Sequence, residues 1–367
     1  MFIIDIIVFF IILGIVILVH EFGHFVAAKK SGVIVHEFGI GFPPKIWKKK
    51  KGETEYFIGA IPFGGMCAID GEESEDNNST YDRTNVWQKL WICGGGILMN
   101  IIFASFLFYF LIGFSGFNFQ QGMMFSDYEF PFGNQADYPS ITYIEEGSPL
   151  YGSDFELGDY VVAINGNKIE GVDNFVSVVA ENKGSEIILS TGLGKEIAVT
   201  PRIDYPDTEG PLGVGLRELA IVSYESLIEK VFVGFIHSYN IIDYSFSTIG
   251  DVFSYAFKNN SPEVIGQSLA GPIGIYAITK VTLTQGLYAM INLIAILSIA
   301  VGITNLLPIP AMDGAKIIFT LLEKINKNIF SKKLQVKIES VGFIFLILLA
   351  IVLIFKDFFQ FKDIIFK

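Results

Sequence analysis

Two histidines and a glutamate interrupt the long apolar stretch with which this sequence begins. They form the motif HEFGH at positions 20–24, and the residues before it are almost entirely apolar. On a helix, His20 and His24 lie four residues apart and therefore project from the same face. A helix this apolar suits a lipid bilayer, in which ionisable side chains are costly and usually serve a function. The stretch therefore predicts a membrane helix that carries a reactive site.

The spacing of these polar residues is typical of zinc-dependent hydrolases. The imidazoles of His20 and His24 can bind one Zn²⁺ ion, and Glu21 can accept a proton from the metal-bound water. A catalytic zinc keeps three protein ligands and one open position, so a further ligand is required. The remaining histidines, His36 and His237, lie in other regions of the sequence. A carboxylate at the end of another membrane helix is therefore the better candidate.

Such a carboxylate occurs in the segment NLLPIPAMDG, which covers residues 305–314. Pro308 and Pro310 end the apolar helix before it, so Asp313 lies in a break of that helix. Irregular backbone is tolerated at membrane depth where it is buried in protein or lines a cavity. We therefore predict Asp313 as the third zinc ligand. The alternative is that Asp313 serves only as a helix N-cap after Pro310.

The composition indicates a membrane protein with a polar portion. Of the 367 residues, 51% are hydrophobic and only 17% are charged, whereas about a quarter of a soluble domain is charged. The net charge of -12 is unevenly distributed, because acidic residues dominate from Asp127 to Glu263. The two cysteines, Cys67 and Cys93, lie outside that acidic portion, so no disulfide stabilises it.

Four segments are long and apolar enough to cross a bilayer, which takes about 20 residues. They cover residues 1–28, 87–114, 286–314 and 341–357. No basic segment precedes the first, so we expect a retained helix rather than a cleaved signal peptide. A fifth apolar stretch, residues 219–258, is interrupted by charged residues. We predict it to be an amphipathic helical segment at the membrane surface.

Lysines near the helix ends predict the orientation in the membrane. Lys29 and Lys30 follow the first helix, and Lys316 and Lys324 follow the third. Because cytoplasmic loops are enriched in Lys and Arg, both junctions are predicted to be cytoplasmic. Four helices then leave both termini and the acidic portion outside the cytoplasm. The prediction is a multi-pass protein of the cytoplasmic (inner) membrane, in contact with the lipid bilayer.

Two regions between the helices are predicted to contain β-strands. Residues 29–86 include two extended stretches on either side of a lysine-rich tip, which predicts a membrane-associated β-hairpin. Residues 139–202 contain short strands, one helix and a turn at Asn165-Gly166. The predicted fold is a polytopic α-helical membrane protein with four transmembrane helices, this hairpin and one extracytoplasmic β-rich domain.

Together, these motifs resemble the site-2 protease family of intramembrane zinc proteases. The resemblance depends on HEFGH in the first helix and NLLPIPAMDG in the third, and it covers most of the chain in the same order. Residues 35–44 and 61–66 resemble the re-entrant β-hairpin of the family, and residues 271–275 resemble the segment before its third helix. Residues 148–166 resemble its PDZ domain, so a single PDZ domain is expected over residues 139–202.

The chain departs from the family pattern at three points. Its second helix has GGILMN at residues 95–100, which keeps Asn100 but lacks the usual proline. The PDZ turn at residues 153–155 is SDF where the family usually has AGL. One PDZ unit is visible, whereas some relatives have a tandem pair.

The resemblance implies an intramembrane endopeptidase that acts in regulated intramembrane proteolysis. Its substrates would be single-span membrane proteins already trimmed by an upstream site-1 protease, such as anti-sigma factors or remnant signal peptides. The substrate site would include Asn305, Asn100, Gly64 and Gly65, and the hairpin would hold the unwound substrate as an added strand. The PDZ domain would bind peptide or protein termini. No nucleic acid is expected as a partner.

Alternatives from other classes remain at this point. A non-catalytic membrane scaffold would bind peptides through its PDZ domain and keep a vestigial or structural zinc site, and a metal-dependent transporter is a third possibility. Glu21 favours the enzyme, because a structural zinc site needs no general base. For Asn100, a role in tying helices together is as well supported as a role in the active site.

Overall fold

The chain divides into two structural units, one built mainly from long apolar helices and one mainly from short strands. The computed structural model describes residues 2–72, 79–125, 128–206, 209–325 and 331–366. The first unit comprises Met1–Leu111, His237–Ile242 and Asp251–Lys367, and the second comprises Ile112–Ile236 and Asp243–Gly250.

Among the described residues, four helices are long and apolar enough to cross a membrane. They are α1 (Phe2–Lys30), α2 (Val86–Phe114), α8 (Leu287–Leu306) and α10 (Lys332–Phe366). The predicted polytopic α-helical architecture is thereby confirmed. The orientation of these helices across the bilayer stays a prediction.

The structure divides the third predicted segment, residues 286–314, at the proline break that the sequence predicted. The apolar helix ends at Leu306, and a separate helix, α9 (Asp313–Ile325), follows it. Pro308 and Pro310 lie between the two, and a proline interrupts a helix because it lacks an N–H donor. The fourth, predicted over residues 341–357, extends through all of α10. Lysine and glutamate at its ends favour a helix although they are not apolar.

The segment predicted as one amphipathic helix over residues 219–258 begins as a strand. It contains the end of β9 (Val214–Ser223), then α4 (Leu227–Val231) and α5 (Val233–Lys258). In β9, Glu218, Ala220 and Val222 are buried in alternation. This period of two is that of a strand with one covered face, and the charged residues that follow obscure it in the sequence.

A helix that the sequence did not predict, α7 (Pro272–Thr284), follows the short α6 (Glu263–Ser268) and packs against α1, α8 and α10. The Gly274 N–H in its first turn donates a hydrogen bond of 2.7 Å to Asp357 Oδ2 on α10. The Asp357 side chain is fully buried. Since first-turn N–H groups have no partner within their own helix, this carboxylate caps α7 from outside.

A β-hairpin, β1 (Val35–Lys51) and β2 (Thr54–Ile69), connects α1 to α2. Both strands bend, so that residues 37–40 pair with residues 65–68 on one side and with residues 55–58 on the other. The lysine-rich end of β1 pairs with the beginning of β2. The hairpin therefore forms a small sheet with two edges, namely residues 64–69 and residues 45–51.

The base of this hairpin is fixed by an apolar cluster that it shares with α1 and α2. The buried members of the cluster are Ala27, Ala28, Val33, Val35, Ile69, Tyr81 and Ile92. Burying one Val or Ile side chain stabilises a fold by about 1.5–3 kcal/mol. The cluster thus holds the end of β2 against the helix that carries the HEFGH motif.

The second unit contains two antiparallel sheets and one well-packed helix. One sheet has the strand order β3–β9–β4, in which β3 is Asn118–Gly122 and β4 is Asn134–Ile144. The other has the order β6–β5–β7–β8 and consists of β5 (Val161–Ile164), β6 (Asn167–Lys168), β7 (Ile187–Thr191) and β8 (Glu196–Val199). The helix α3 (Gly171–Glu181) buries Phe175 and Val179.

The strands and the helix within the predicted domain, residues 139–202, are present, but the domain is larger than predicted. Its apolar core extends to Leu212, and β4 pairs with β9, which lies beyond residue 202. The predicted turn joins β5 to β6, and both Asn165 and Gly166 have positive φ angles, of 51° and 78°. Such a pair suits the two-residue hairpin turn that matches the twist of antiparallel strands.

Replacing the carboxylate that caps α7 should destabilise the first unit. We expect Asp357→Leu to lower the midpoint of thermal unfolding of the detergent-purified protein, because a buried N–H without an acceptor costs about 1–3 kcal/mol. Asp357→Asn keeps an acceptor and should lower it less. Gln360→Leu, at an exposed position of the same helix, is the control. Equal midpoints for Asp357→Leu and the control would contradict the capping role.

Candidate metal centre

The side chains of His20, His24 and Asp313 converge within the first unit. His20 Nε2 and His24 Nε2 lie 3.0 and 3.1 Å from Asp313 Oδ2, and 3.1 Å from each other. Three atoms that bind one zinc ion tetrahedrally at 2.0–2.2 Å would lie about 3.3 Å apart. Two imidazoles and one carboxylate are also a donor set that zinc accepts. The triangle of donor atoms therefore fits this metal.

His24 is held in the tautomer that a metal ligand needs. Its Nδ1 donates a hydrogen bond of 2.8 Å to the carbonyl oxygen of Ile92 on α2. A neutral imidazole protonated at Nδ1 presents an unprotonated Nε2. That lone pair faces Asp313 Oδ2, a buried oxygen to which no group in the described part of the chain donates a hydrogen bond. Lone pairs that meet in a buried site are unfavourable unless a cation lies between them.

Asn100 contacts His20 at Nδ1, on the side of the ring that faces away from the candidate metal site. Its side chain is fully buried on α2, and the amide nitrogen lies 3.4 Å from His20 Nδ1. The amide oxygen has no hydrogen-bond partner among the residues that the structure describes. Rotating the amide by half a turn, which exchanges two nearly equivalent atoms, lets the oxygen accept the proton of Nδ1. His20 Nε2 is then unprotonated as well. Asn100, predicted from the resemblance to contact substrate, thus lies behind a histidine and not along the cavity.

Glycines bring α1 and α2 together at the level of the two histidines. A Cβ atom at Gly23 would lie 2.1 Å from the carbonyl oxygen of Gly95, so the two backbones are in contact there. A Cβ atom at Gly96 would lie 2.4 Å from His24 Nε2 and 2.7 Å from His20 Nε2. Both separations are far below van der Waals contact. Only glycine at position 96 leaves room for the donor atoms.

The break between α8 and α9 brings Asp313 to the histidines. Ala311 in this break has a positive φ of 71°, and α9 begins at Asp313 itself. A Cβ atom at Gly314 would lie 2.3 Å from the carbonyl oxygens of Leu306 and Leu307. The glycine therefore lets the first turn of α9 lie directly against the end of α8. The position of the Asp313 carboxylate is therefore set by the backbone of this break as well as by its own side chain.

A cavity of about 510 Å³ opens beside the three donor atoms. Besides His20, His24 and Asp313, four residues predicted for the site line it: Glu21, Gly64, Gly65 and Asn305. A Cβ atom at Gly65 would lie 2.6 Å from Glu21 Cγ, so the edge of β2 passes directly over the predicted general base. The Asn305 side chain donates a hydrogen bond to the carbonyl oxygen of Val301 within α8.

The cavity wall also contains an ion pair that the sequence did not predict. Lys316 Nζ lies 2.8 Å from Glu72 Oε1, and the two side chains are 23% and 13% exposed. Burial alone lowers the pKa of the Lys316 ammonium, but the nearby carboxylates of Glu72 and Asp313 outweigh this and raise it. Lys316 follows Asp313 by three residues on α9, and this helical spacing was the available signal.

The sequence matches known proteins along almost its whole length. The family model for "Peptidase family M50" matches residues 8–349. A Clostridium perfringens protein named "Putative zinc metalloprotease CPE1693" is 29% identical over 93% of this chain and 94% of its own. A Helicobacter pylori protein named "Putative zinc metalloprotease" is 29% identical over 94% and 96%.

A relative with a more specific name is also similar over its full length. The "Regulator of sigma-W protease RasP" of Bacillus subtilis is 26% identical over 97% of this chain and 99% of its own. These matches confirm the resemblance to the site-2 protease family and the expectation of a zinc metalloprotease of that type. They also agree with a multi-pass membrane protein. The chain therefore belongs to peptidase family M50.

Proposed function

We propose that this protein cleaves peptide bonds within the transmembrane segments of single-span membrane proteins. The observation that carries the proposal is the meeting of His20, His24 and Asp313 beside Glu21, in one cavity between helices apolar enough to cross a membrane. His20, His24 and Asp313 would hold Zn²⁺. When bound, zinc supplies a Lewis acid for the scissile carbonyl and lowers the pKa of water toward about 7.

Glu21 is the group that we assign to proton transfer. It follows the first ligand in sequence and lines the cavity beneath the edge of β2. It accepts a proton from the attacking water and delivers it to the nitrogen of the departing amine. A non-catalytic scaffold would have no use for a carboxylate at this place. Among the residues that line the cavity, we assign Gly64, Gly65 and Asn305 to the binding of the substrate.

The free edge of β2 is the surface on which we place the substrate. Residues 65–69 pair with β1 on one side only, and residues 64–69 line the cavity. A transmembrane helix must unwind before a protease can reach its peptide bonds. The backbone N–H and C=O groups of the unwound segment then need new hydrogen-bond partners. The edge offers such partners as an added-strand interaction. Gly65 lets this edge lie directly against Glu21, since a Cβ atom there would approach Glu21 Cγ to 2.6 Å.

We infer the biological role from the family and from one relative. The name of the Bacillus subtilis relative, a regulator of sigma-W, favours anti-sigma factors as substrates here. Remnant signal peptides share the same chemistry, a short apolar segment. Both would first be trimmed by an upstream site-1 protease. In this proposal both termini and the second unit lie outside the cytoplasm, and residues 139–202 belong to a PDZ domain that binds peptide or protein termini.

Asn100 has a positioning role in this proposal. It fixes the ring of His20, as the Ile92 carbonyl fixes that of His24, and it does not touch the substrate. Partners of this kind orient metal ligands and set their tautomers. Its full burial and its distance of 3.4 Å from His20 Nδ1 support this assignment.

Replacing the general base should separate zinc binding from catalysis. We expect Glu21→Gln to keep one zinc per chain and to slow cleavage by about 10²–10⁴-fold, because only proton transfer is lost. The measurements are elemental analysis and cleavage of a single-span model substrate without its ectodomain in detergent. Glu53→Gln, at an exposed position of the hairpin turn, is the matched control. Cleavage by Glu21→Gln at the rate of this control would refute the mechanism.

Removing the partner of His20 should weaken metal binding. We expect Asn100→Leu to lower zinc affinity by about 10–100-fold, the usual effect of losing a group that orients a ligand. Affinity is measured by competition with a chelator of known strength. Ser105→Ala on the same helix is the control, and Asp313→Ala shows the larger loss caused by a missing ligand. Unchanged affinity in Asn100→Leu would rule out the positioning role.

A further inference from the structure

Lys316 is the only cation among the described residues that line the cavity. It shares the wall with the carboxylates of Glu21, Glu72 and Asp313. Its ion pair with Glu72 connects two separate parts of the wall, since Glu72 follows β2 and Lys316 belongs to α9. A lysine buried to this degree loses side-chain entropy and hydration. A role in solubility does not explain why a lysine occupies this buried position.

The ammonium group of Lys316 has hydrogen-bonding capacity that Glu72 does not use. An ammonium carries three N–H donors. One is directed to Glu72 Oε1, and the described part of the chain offers no other acceptor within hydrogen-bond distance. The cavity contains the missing acceptors once a peptide strand lies on the edge of β2, because such a strand brings its carbonyl oxygens into it.

The position of Lys316 on α9 places it on the same helix face as the predicted zinc ligand Asp313. Residues three apart on a helix share a face, so Lys316 lies on the same side of α9 as Asp313. Attack on a peptide bond moves negative charge onto the carbonyl oxygen. A fixed cation in a site of low dielectric stabilises that charge more than it stabilises the neutral carbonyl.

We propose that Lys316, held in place by Glu72, is a further catalytic residue that donates a hydrogen bond to the scissile carbonyl oxygen of the substrate. The proposal rests on the protease function proposed above. Glu72 is then a positioning residue, because it contacts Lys316 and not the substrate. The competing explanation is that the ion pair only ties the end of the hairpin to α9.

Exchanging the two charges distinguishes these explanations. Lys316→Met should lower kcat by about 100-fold, as the loss of one hydrogen-bond donor to the oxyanion does in other enzymes. Lys316→Arg should recover part of this loss. The double variant Glu72→Lys/Lys316→Glu restores the tie but puts a carboxylate on α9, so its kcat should stay as low as that of Lys316→Met. Recovery of activity in the double variant would establish the tie and overturn the proposal.

All rates are expressed per bound zinc, so that a change in metal content does not enter the comparison. KM for the model substrate should change little in Lys316→Met, since the contact strengthens in the transition state. Glu72→Gln keeps the cation and should reduce kcat less than Lys316→Met does. A Lys316→Met enzyme with normal kcat, alongside an inactive Glu21→Gln enzyme, would refute this proposal alone. Full activity in Glu21→Gln would instead refute the protease mechanism.

Discussion

The contact between the backbones of α1 and α2 at Gly23 and Gly95 is the constraint on which the metal centre depends. Both hydrogen bonds that orient the histidines come from α2, one from the Ile92 carbonyl and one from Asn100. A side chain at Gly23 would push the two helices apart, because its Cβ atom would lie 2.1 Å from the Gly95 carbonyl oxygen, and both hydrogen bonds would then lengthen. The glycines are therefore part of the site, although they contribute no functional group.

A second constraint is electrostatic, and it explains why so polar a cluster persists among apolar helices. Two imidazole nitrogens and a carboxylate oxygen lie within 3.1 Å of each other in a buried place. Without a cation, their lone pairs would destabilise the fold; with one, the same arrangement becomes favourable. Folding of this region and metal binding are thus expected to be coupled, because the three candidate ligands come from two separate helices, α1 and α9.

The sequence predicted what is encoded locally. The HEFGH spacing, the four apolar helices and the Asn165-Gly166 turn each depend on a few neighbouring residues, and the structure contains all of them. It did not predict the capping of α7 by Asp357 or the pairing of Glu72 with Lys316. Those partners are 83 and 244 residues apart, and no periodic pattern relates them. The strand β9 was missed because charged residues follow its apolar alternation and suggest an amphipathic helix.

The helix α9 connects the candidate metal centre with the hairpin, because Asp313 and Lys316 lie on one face of it. Asp313 is fixed by the break after α8, and Lys316, one turn later, contacts Glu72, which lies three residues beyond the end of β2. Any shift of the hairpin relative to α9 would therefore alter the cavity wall and the surroundings of the metal together. A substrate strand that binds to residues 64–69 would act on that same edge. In the proposed mechanism, the binding of substrate and the alignment of the reacting groups would both depend on this one arrangement of hairpin and helix.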